Sequence, residues 1–196
     1  MAGAFGVARL FVVCFNSAVL VDRLPDSMES SCIVPVLLRV AGMCATIEIM
    51  QIQTVSHSNF ELVLPLIAAY QSHFKAEPDE ARNRAHFAQF LTDHSRGIQF
   101  IALSHDGIAL GFATLYFPFS SVRARVDCLM NDLFTSSCAR RKGVGHALVQ
   151  HCHQYAQEQG YDGLHWITAK TNVESQQFYA SMGAERSEWY EYVLPT

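Results

Sequence analysis

The sequence predicts a mixed α+β fold in which one β-sheet is flanked by helices. Three observations lead to this class. Segments rich in β-branched and aromatic residues alternate with amphipathic helical segments, and three strand-like segments follow one another between residues 98 and 135. Two helical segments end at Gly160 and Gly183, where glycine can serve as a C-terminal cap. The order strand, two helices, three strands, helix, strand, helix, strand indicates one domain.

The first elements of this domain are a strand and a helix. The segment IEIMQIQTV (47–55) is rich in β-branched residues and predicts the strand. Ser58 and Glu61 then fit a capping box at the start of the helix. Pro65 should kink or interrupt this helix, because it lacks a backbone N–H. The apolar residues of the helix recur at helical spacing: Phe60, Val63, Leu64, Ile67 and Tyr70.

A second helix and a strand meander follow. The helix is predicted to begin at Pro78, since proline is pre-organised for the first helical position. Strands are predicted at 98–104 and 108–119, and the intervening His-Asp-Gly sequence is a hairpin signal. Residues 122–135 predict a third consecutive strand.

The second half of the domain is predicted to begin with a long helix, from residue 144 to about residue 159. A strand is expected at 163–169, a short helix at 173–182 and a final strand at 188–194. One stripe of the long helix is apolar: Val144, Leu148, Cys152 and Ala156.

Residues 1–46 differ from the rest of the chain. Their two apolar runs are broken by Arg9 in the first and by Pro35 and Arg39 in the second, and no convincing cleavage site follows the first run. Three interpretations are open: a weak membrane or signal segment, an added structural element, or a stretch outside the domain proper. We expect an apolar extension with no catalytic role, followed by the domain at 47–196.

Composition limits the classes of function. The formal net charge of −4 provides no global basic field for nucleic acid. The six cysteines include no C-x-x-C pair, and the histidines are not spaced around them as zinc ligands. His151 and His153 fall on different faces of a helix and predict solvated surface. We therefore expect a cytoplasmic protein with reduced thiols, no metal site, no nucleic-acid partner and no membrane partner.

The segment CARRKGVGHALV (138–149) places three cationic residues immediately before a Gly-x-Gly helix start. A helix N-terminus exposes backbone N–H groups and a partial positive charge, and glycines let an anion approach the backbone closely. Neither the Walker motif nor the dinucleotide-binding fingerprint is present. The pattern predicts a pyrophosphate cradle, with an ordinary helix start as the alternative.

A longer segment, DLFTSSCARRKGVGHALV (132–149), resembles the acetyl-CoA-binding motif R/Q-x-x-G-x-G/A of the GNAT superfamily of N-acetyltransferases. Arg140, Gly143 and Gly145 fill its defined positions, while Ser137 stands where the family often has proline. The DLF lead-in is similar to that of the diamine-acetyltransferase-like branch.

A second segment, NVESQQFYASMGAE (172–185), resembles the GNAT signature N-x-x-A-x-x-F-Y-x-x-x-G-F. Ser175 replaces the usual alanine and Ala184 the usual phenylalanine. Four residues match the signature: Asn172, Phe178, Tyr179 and Gly183. Two motifs at the right separation make the resemblance specific, and it covers roughly residues 47–195.

The resemblance implies a GNAT-like central mixed, mostly antiparallel sheet and acetyl-CoA as cosubstrate. Backbone groups of Leu133, Phe134 and Thr135 should pair with the pantetheine arm. Asn172 could hydrogen-bond the cofactor or simply cap its helix. Arg140 and the backbone N–H groups of the following turn should hold the pyrophosphate: Arg141, Lys142, Gly143, Val144, Gly145 and His146.

Two residues are candidates for the chemistry. The resemblance implies that Tyr179 protonates the departing thiolate, although a buried aromatic is the alternative. In a regular strand, Asp132 would share an apolar face with Cys128, Met130 and Phe134, and burial would raise its pKa. It is then a base for an ammonium substrate, a counter-ion or a structural residue, and a bulge would reassign the faces.

Three aromatic residues, Tyr116, Phe117 and Phe119, are candidates for the acceptor pocket, with core packing as the alternative. The resemblance implies transfer of acetyl from acetyl-CoA to a primary amine by direct attack in a ternary complex. A small or polyamine-like amine is favoured as the partner, and homodimerisation is an open expectation. The alternatives are a catalytically silent acyl-CoA-binding module and a protein N-terminal or lysine acetyltransferase.

Overall fold

A computed structural model describes residues 10–14, 17–20, 49–189 and 192–195 of the chain. Its strands are, in chain order, β1 (Leu10–Cys14), β2 (Ser17–Leu20), β3 (Ile49–Thr54), β4 (Gly97–Ser104), β5 (Ala109–Tyr116), β6 (Phe119–Ser120), β7 (Arg125–Val126), β8 (Cys128–Thr135) and β9 (Leu164–His165). Seven of them form one sheet in the order β2-β1-β3-β4-β5-β8-β9, and β6 pairs with β7. Only the β8–β9 pair is parallel, which confirms the mixed, mostly antiparallel sheet.

Four α-helices accompany these strands. They are α1 (Phe60–His73), α2 (Glu80–Phe87), α3 (Val144–Glu158) and α4 (Val173–Ser181). Helices α1 and α2 connect β3 to β4, and α3 connects β8 to β9. The chain divides into two compact units, Met1–His165 and Trp166–Thr196, so the sheet and the first three helices belong to one unit and α4 to the other.

The two faces of the sheet pack against different helices. Ile101 and Phe112 join the apolar side chains of α1 and α2 in one buried cluster. Phe100, the neighbour of Ile101 in β4, instead contacts the rings of His151 and Tyr155 on α3. Because side chains alternate along a strand, α1 and α2 cover one face of the sheet and α3 the other.

The start of α1 differs from the predicted capping box. Asn59, not Ser58, is the N-cap residue, and its side chain accepts a hydrogen bond from the Ser56 N–H at 2.8 Å. Glu61 forms an ion pair with Arg84 of α2 instead of closing a box. The helix runs through Pro65 without interruption, because four of the five predicted apolar positions are buried and hold it against the sheet: Phe60, Val63, Leu64 and Ile67.

The third predicted meander strand is shorter than expected. A turn with Ala124 at φ 52° interrupts residues 122–135, and only Cys128–Thr135 joins the main sheet. The guanidinium of Arg123 forms an ion pair with the carboxylate of Asp127, with an N–O distance of 2.9 Å, and helps to stabilise this turn. The alternation of apolar residues indicates only a local preference for extended structure. A strand also needs a neighbouring strand with which it can pair.

Two later strand predictions also exceed what the structure contains. The segment 163–169 is extended only at Leu164–His165, and residues 188–189 and 192–195 form no strand. Residues 190–191 lie outside the described part of the chain. In both segments the sequence pattern was compatible with a strand, but pairing, which depends on distant residues, limits its length.

Part of the N-terminal extension adds to the sheet. Strand β1 pairs antiparallel with β2 and with β3, where Phe11 lies opposite Met50. The other residues before Ile49 lie outside the described part of the chain, and the boundary at residue 46 stays a prediction. Among the described residues, no helix has the length and apolarity needed to cross a membrane.

Candidate active site

The site is built around an irregularity in β8. Thr114 of β5 lies opposite Asp132, but the next residue, Leu115, lies opposite Met130, so Asn131 is an extra residue in β8. Paired residues point to the same face of a sheet and successive residues of β5 point to opposite faces. Asp132 and Met130 therefore face opposite sides of the sheet.

This bulge corrects the face expected for Asp132 in a regular strand. Phe134 stays with Asp132 on the α1 side, where its ring contacts Tyr70 and Phe112. Cys128 and Met130 do not share that face, and the Cys128 thiol lies near that of Cys152 on α3. On the face of β8 that packs against α1 and α2, Asp132 is thus the one acidic side chain.

The carboxyl group of Asp132 is almost fully buried, with 7% of the residue exposed. Burial raises the pKa of Asp132 above its ordinary value of 3.8, while hydrogen bonds from Thr114, Tyr70 and Asn131 and the charge of His86 act in the opposite direction. Asn131 donates from Nδ2 to Oδ1 of Asp132 at 3.0 Å. A buried carboxylate held by donors, with a raised pKa, is suited to take a proton.

Aromatic groups from three elements surround this carboxylate. Tyr70 comes from α1, His86 from α2 and Tyr116 from the end of β5, and Nε2 of His86 lies 3.3 Å from the hydroxyl of Tyr116. Burial raises the pKa of Tyr116, and the negative charge of Asp132 raises it further. The phenol of Tyr116 therefore stays neutral at physiological pH and can act as a hydrogen-bond donor.

Of the three aromatic residues predicted to line the acceptor pocket, only Tyr116 lies beside Asp132. Phe117 is stacked between Tyr155 and Tyr161, at centroid distances of 6.2 and 5.4 Å, and belongs to the packing beside α3. Phe119 is 89% exposed on the β6–β7 hairpin. The core-packing alternative is therefore correct for Phe117.

The segment Leu133–Thr135 lies immediately beyond the bulge. It pairs with Gly111–Ala113 of β5 on one side. On the other side, β9 pairs only with Cys128 and Leu129. Within residues 49–165, the second edge of Leu133–Thr135 has no partner strand, so its backbone groups face an open edge of the sheet.

The basic turn leads from this edge to the start of α3. Arg140, Arg141 and Lys142 are exposed, and Arg141 adopts a left-handed conformation with φ 63°. Gly143 is the N-cap residue at φ 79°, and no side chain caps this helix. By contrast, the side chain of Asp79 caps α2.

The first turn of α3 is held in place by its apolar stripe. Val144, Leu148, Cys152 and Ala156 are all buried, as predicted. Gly145 and His146 are half-buried beside Val144. The N–H groups of a first helical turn have no intrahelical acceptor, and here they are contiguous with the basic turn. The predicted pyrophosphate residues, 140–146, therefore run without interruption from the exposed basic turn into the first turn of α3.

The second unit contains the other two predicted site residues. Oδ1 of Asn172 accepts a hydrogen bond from the Ser175 N–H at 3.1 Å, so Asn172 caps α4, which is one of its two predicted roles. Tyr179 is half-buried, and its ring centroid lies 5.0 Å from that of Trp166. Burial raises the pKa of Tyr179, which keeps its phenol protonated at neutral pH.

One histidine and two cysteines have structural positions. His151 packs edge-on against Phe100 at a centroid distance of 4.5 Å, so the prediction of a solvated surface is wrong for His151, whereas His153 is exposed. Cys128 and Cys152 are buried free thiols, and burial raises the pKa of Cys128 to about 11.

Several residues of the site around Asp132 were not predicted from the sequence. Tyr70 is part of the predicted apolar stripe of α1, and His86 lies in a helix of mostly polar residues. Gln99 and Thr114 stand among apolar residues in strands β4 and β5. A polar side chain in an otherwise apolar strand was the available signal, since such a group needs a buried partner.

The comparisons with known proteins agree with this geometry. Residues 64–184 match the family model described as the acetyltransferase (GNAT) family. The chain belongs to this family. The match includes Asp132, the basic turn and α4 and confirms the predicted superfamily and fold. Acyl transfer from acetyl-CoA is the reaction typical of GNAT proteins, so the chain is an acetyltransferase.

Individual GNAT relatives support the same assignment. An uncharacterised N-acetyltransferase of Bacillus subtilis, YhfO, is 29% identical over 69% of this chain and 90% of its own length. The D-amino-acid N-acetyltransferase HPA3 of Saccharomyces cerevisiae is 33% identical over 39% of this chain and 47% of its own length. The crystal structure of a probable acetyltransferase superposes with a TM-score of 0.67 at 27% identity, over 74% of this chain and 97% of the other.

Proposed function

We propose that this GNAT protein transfers the acetyl group of acetyl-CoA to the primary amine of a small molecule, by direct attack in a ternary complex. The observation that carries this proposal is the position of Asp132. A buried acidic side chain lies one residue before Leu133–Thr135, and this open strand edge leads directly to the basic start of α3. An amine bound at Asp132 and a thioester held along the edge would thus be neighbours.

The cofactor-binding part of the proposal uses backbone groups. Amide and carbonyl groups of Leu133, Phe134 and Thr135 would pair with the pantetheine arm, as a strand would. The N–H groups from Arg141 to His146 would bind the pyrophosphate at the positive end of α3, with Arg140 adding charge. Nothing in this arrangement requires a side chain where glycine stands, which agrees with Gly143 and Gly145.

The proton that the ammonium group must lose would go to Asp132. The free amine then attacks the thioester carbonyl, the new C–N bond forms and the C–S bond breaks. Tyr179 would give its proton to the departing thiolate, and the second proton that the nitrogen loses as the amide forms would restore the Tyr179 phenol. Cys128 and Cys152 are unsuitable as acyl-accepting nucleophiles, since burial raises the pKa of both thiols, and this supports direct attack.

The acceptor class is chosen from the surroundings of Asp132. The buried negative charge of Asp132 favours a cationic amine over an anionic substrate. The DLF lead-in, Asp132–Phe134, places polyamine-like amines first in the proposal. The name of the yeast relative HPA3 adds amino acids to the acceptors that require testing.

The proposal is tested with the purified full chain, acetyl-CoA and a panel of amines, by following the release of free thiol. The panel contains diamines and polyamines, D- and L-amino acids, an aminoglycoside, and peptides with a free N-terminus or lysine. We expect turnover with at least one small amine. Turnover with peptides alone would instead identify a protein acetyltransferase.

The silent-module alternative predicts a different pair of results. Binding of acetyl-CoA, at a hundredfold excess over its Kd, would stabilise the protein by about 2.7 kcal/mol in a thermal-shift experiment. Stabilisation without turnover on any amine would favour the silent module. Asp132→Asn should remove turnover and keep the thermal shift, whereas Asp106→Asn, in the exposed β4–β5 turn, should change neither.

A further inference from the structure

A row of three polar side chains crosses the centre of the sheet. Gln99 of β4 lies opposite Thr114 of β5, and Thr114 lies opposite Asp132 of β8. The three residues are 1%, 0% and 7% exposed, and apolar side chains flank Gln99 and Thr114 along their strands. Polar groups this deeply buried are held by hydrogen bonds to one another.

The chemistry of the carboxylate fixes the direction of these bonds. Ionised Asp132 can only accept hydrogen bonds, so Thr114 donates its single hydroxyl proton to it. The oxygen of Thr114 is then free to accept, and Nε2 of Gln99 donates to it at 2.9 Å. The row is a one-way chain of donors from Gln99 to Asp132.

The other end of the Gln99 amide supports this direction. Its Oε1 is buried and has no hydrogen-bond partner among the described residues. If the amide were reversed, Oε1 could accept the Thr114 proton, but Asp132 would lose its donor and Nε2 of Gln99 would lose its acceptor. A buried acceptor left without a partner is destabilising, so the observed arrangement favours the carboxylate at the expense of the amide oxygen.

We propose that Gln99 and Thr114 are positioning residues that orient the Asp132 carboxylate and keep it ionised for proton transfer. The inference rests on the proposed function, because it gives Asp132 the role of base. Thr114 acts directly on Asp132, and Gln99 acts through Thr114. Neither residue touches the substrate in this scheme.

The neighbouring groups set the background for a pH measurement. Among the described residues of the sheet-forming unit, the titratable groups that interact with Asp132 are Tyr70 of α1, His86 of α2 and Tyr116 of β5. Burial opposes ionisation of Asp132, whereas donors favour it. Removing the Thr114 donor should therefore raise the pKa of Asp132 further, and Asp132 should need a higher pH to become a base.

The test compares Thr114→Val, which keeps the shape and removes the hydroxyl, with Thr114→Ser, which keeps the hydroxyl. The pKa of the Asp132 carboxyl is read by ¹³C NMR in protein labelled at aspartate, with Asp132→Asn for assignment. We expect Thr114→Val to raise this pKa by about one to two units. Thr114→Ser should stay close to the unmodified protein.

The same variants are then measured as enzymes. For Thr114→Val, the acidic limb of the kcat/KM profile should move to higher pH by the same amount, and activity should recover as the pH rises. Gln99→Met should shift the limb in the same direction by less, and it provides the test if Thr114→Val does not fold. An equal loss of activity at every pH, with the carboxyl pKa unchanged, would overturn the proposal.

Failure of the base assignment gives a separate result. If Asp132→Asn retains full turnover, Asp132 is not the base and the proposed mechanism is wrong. The carboxyl pKa measured by NMR still decides whether Gln99 and Thr114 control its ionisation, because that measurement does not depend on activity.

Discussion

Gly111 of β5 lies opposite Thr135 of β8 at a point where the sheet has no room for a side chain. A Cβ atom at Gly111 would lie 2.5 Å from the carbonyl oxygen of Phe134 and 3.2 Å from a methyl group of Val144. The absence of a side chain here lets α3 approach the edge of β8 that we assign to the pantetheine arm. The proposed cofactor site would thus depend on a residue in a different strand.

Gly111→Ala should weaken acetyl-CoA binding and lower stability together. The neighbouring atoms are backbone and packed side chains, so the new methyl group must push β8 or α3 away. We expect a loss of about 1–3 kcal/mol, which lowers Tm by roughly 2–4 °C for each kcal/mol. Gly163→Ala is the control, since its new Cβ would meet only a His165 ring atom at 3.8 Å. Unchanged cofactor affinity in Gly111→Ala would contradict the proposed site.

Reversing the charge of the basic turn should weaken cofactor binding specifically. Arg140 and Arg141 are exposed, so Arg140→Glu with Arg141→Glu should leave the fold intact. Hydrogen bonds to charged groups contribute about 1.5–3 kcal/mol each, so we expect Kd for CoA to rise at least tenfold. Calorimetry provides the measurement.

The matched control for this pair is Arg96→Glu. Arg96 is also exposed, and it precedes β4 where Gly97 pairs with Tyr116, at the opposite end of the sheet from Thr135. Its reversal should leave Kd unchanged. An effect of Arg96→Glu on the binding free energy about half as large as that of the pair would mean that net charge alone attracts the cofactor, because one reversal changes the charge by −2 and two by −4.

Tyr179→Phe should slow the chemical step without changing cofactor affinity. The phenol has a raised pKa from burial and is the proposed acid, so its loss should reduce kcat by about 10²–10⁴-fold. Any alkaline limb of the kcat profile that reports this phenol should disappear as well. Tyr192→Phe, a change at a residue that is 89% exposed, should have no effect. A Tyr179→Phe enzyme with normal kcat would remove Tyr179 from the mechanism.

Asp132→Asn should stabilise the protein more strongly as the pH rises. The folded-state pKa of Asp132 lies above its ordinary value of 3.8, so the folded protein holds the proton more tightly than the unfolded chain does. The corresponding stability is present below that ordinary pKa and is lost as the pH rises through the raised pKa. Asp132→Asn has no carboxyl group at this position, so its stability does not fall in this pH range.

The measurement is the difference in Tm between Asp132→Asn and the unmodified protein from pH 4 to pH 8. It should grow with pH and then level off above the raised pKa. Asp106→Asn, at an exposed position, should give a flat difference. A difference for Asp132→Asn that falls with pH would mean that its folded-state pKa is lowered.

The sequence predicted most clearly what depends on local spacing. The apolar stripe of α3 is buried as expected, and Gly143 and Gly160 have positive φ at the two ends of this helix. Both properties follow from helical periodicity and from the conformations open to glycine. The basic turn before α3 was predictable for the same reason, and its role in binding the cofactor stays a prediction.

What the sequence could not show depends on pairing between strands. No local pattern marks Asn131 as an extra residue, because the register is set by β5. The row from Gln99 to Asp132 joins residues that are 15 and 18 positions apart, and only the alignment of three strands brings them together. Asn59 similarly occupies the N-cap position of α1 without a capping hydrogen bond to the helix, because its side chain accepts from the Ser56 N–H of the preceding segment.

The extra residue in β8 also has a consequence for the evolution of this strand. Because Asn131 is an extra residue, Met130 and Asp132 pack in separate layers of the molecule. A substitution at one of them therefore need not be compensated by changes around the other. During evolution, the side chains around Asp132 could change to bind a different acceptor amine while the packing beneath α3 stays unaltered. Directed evolution of substrate range should therefore randomise the neighbours of Asp132 on the α1 side and hold Asp132, Met130 and Cys128 constant.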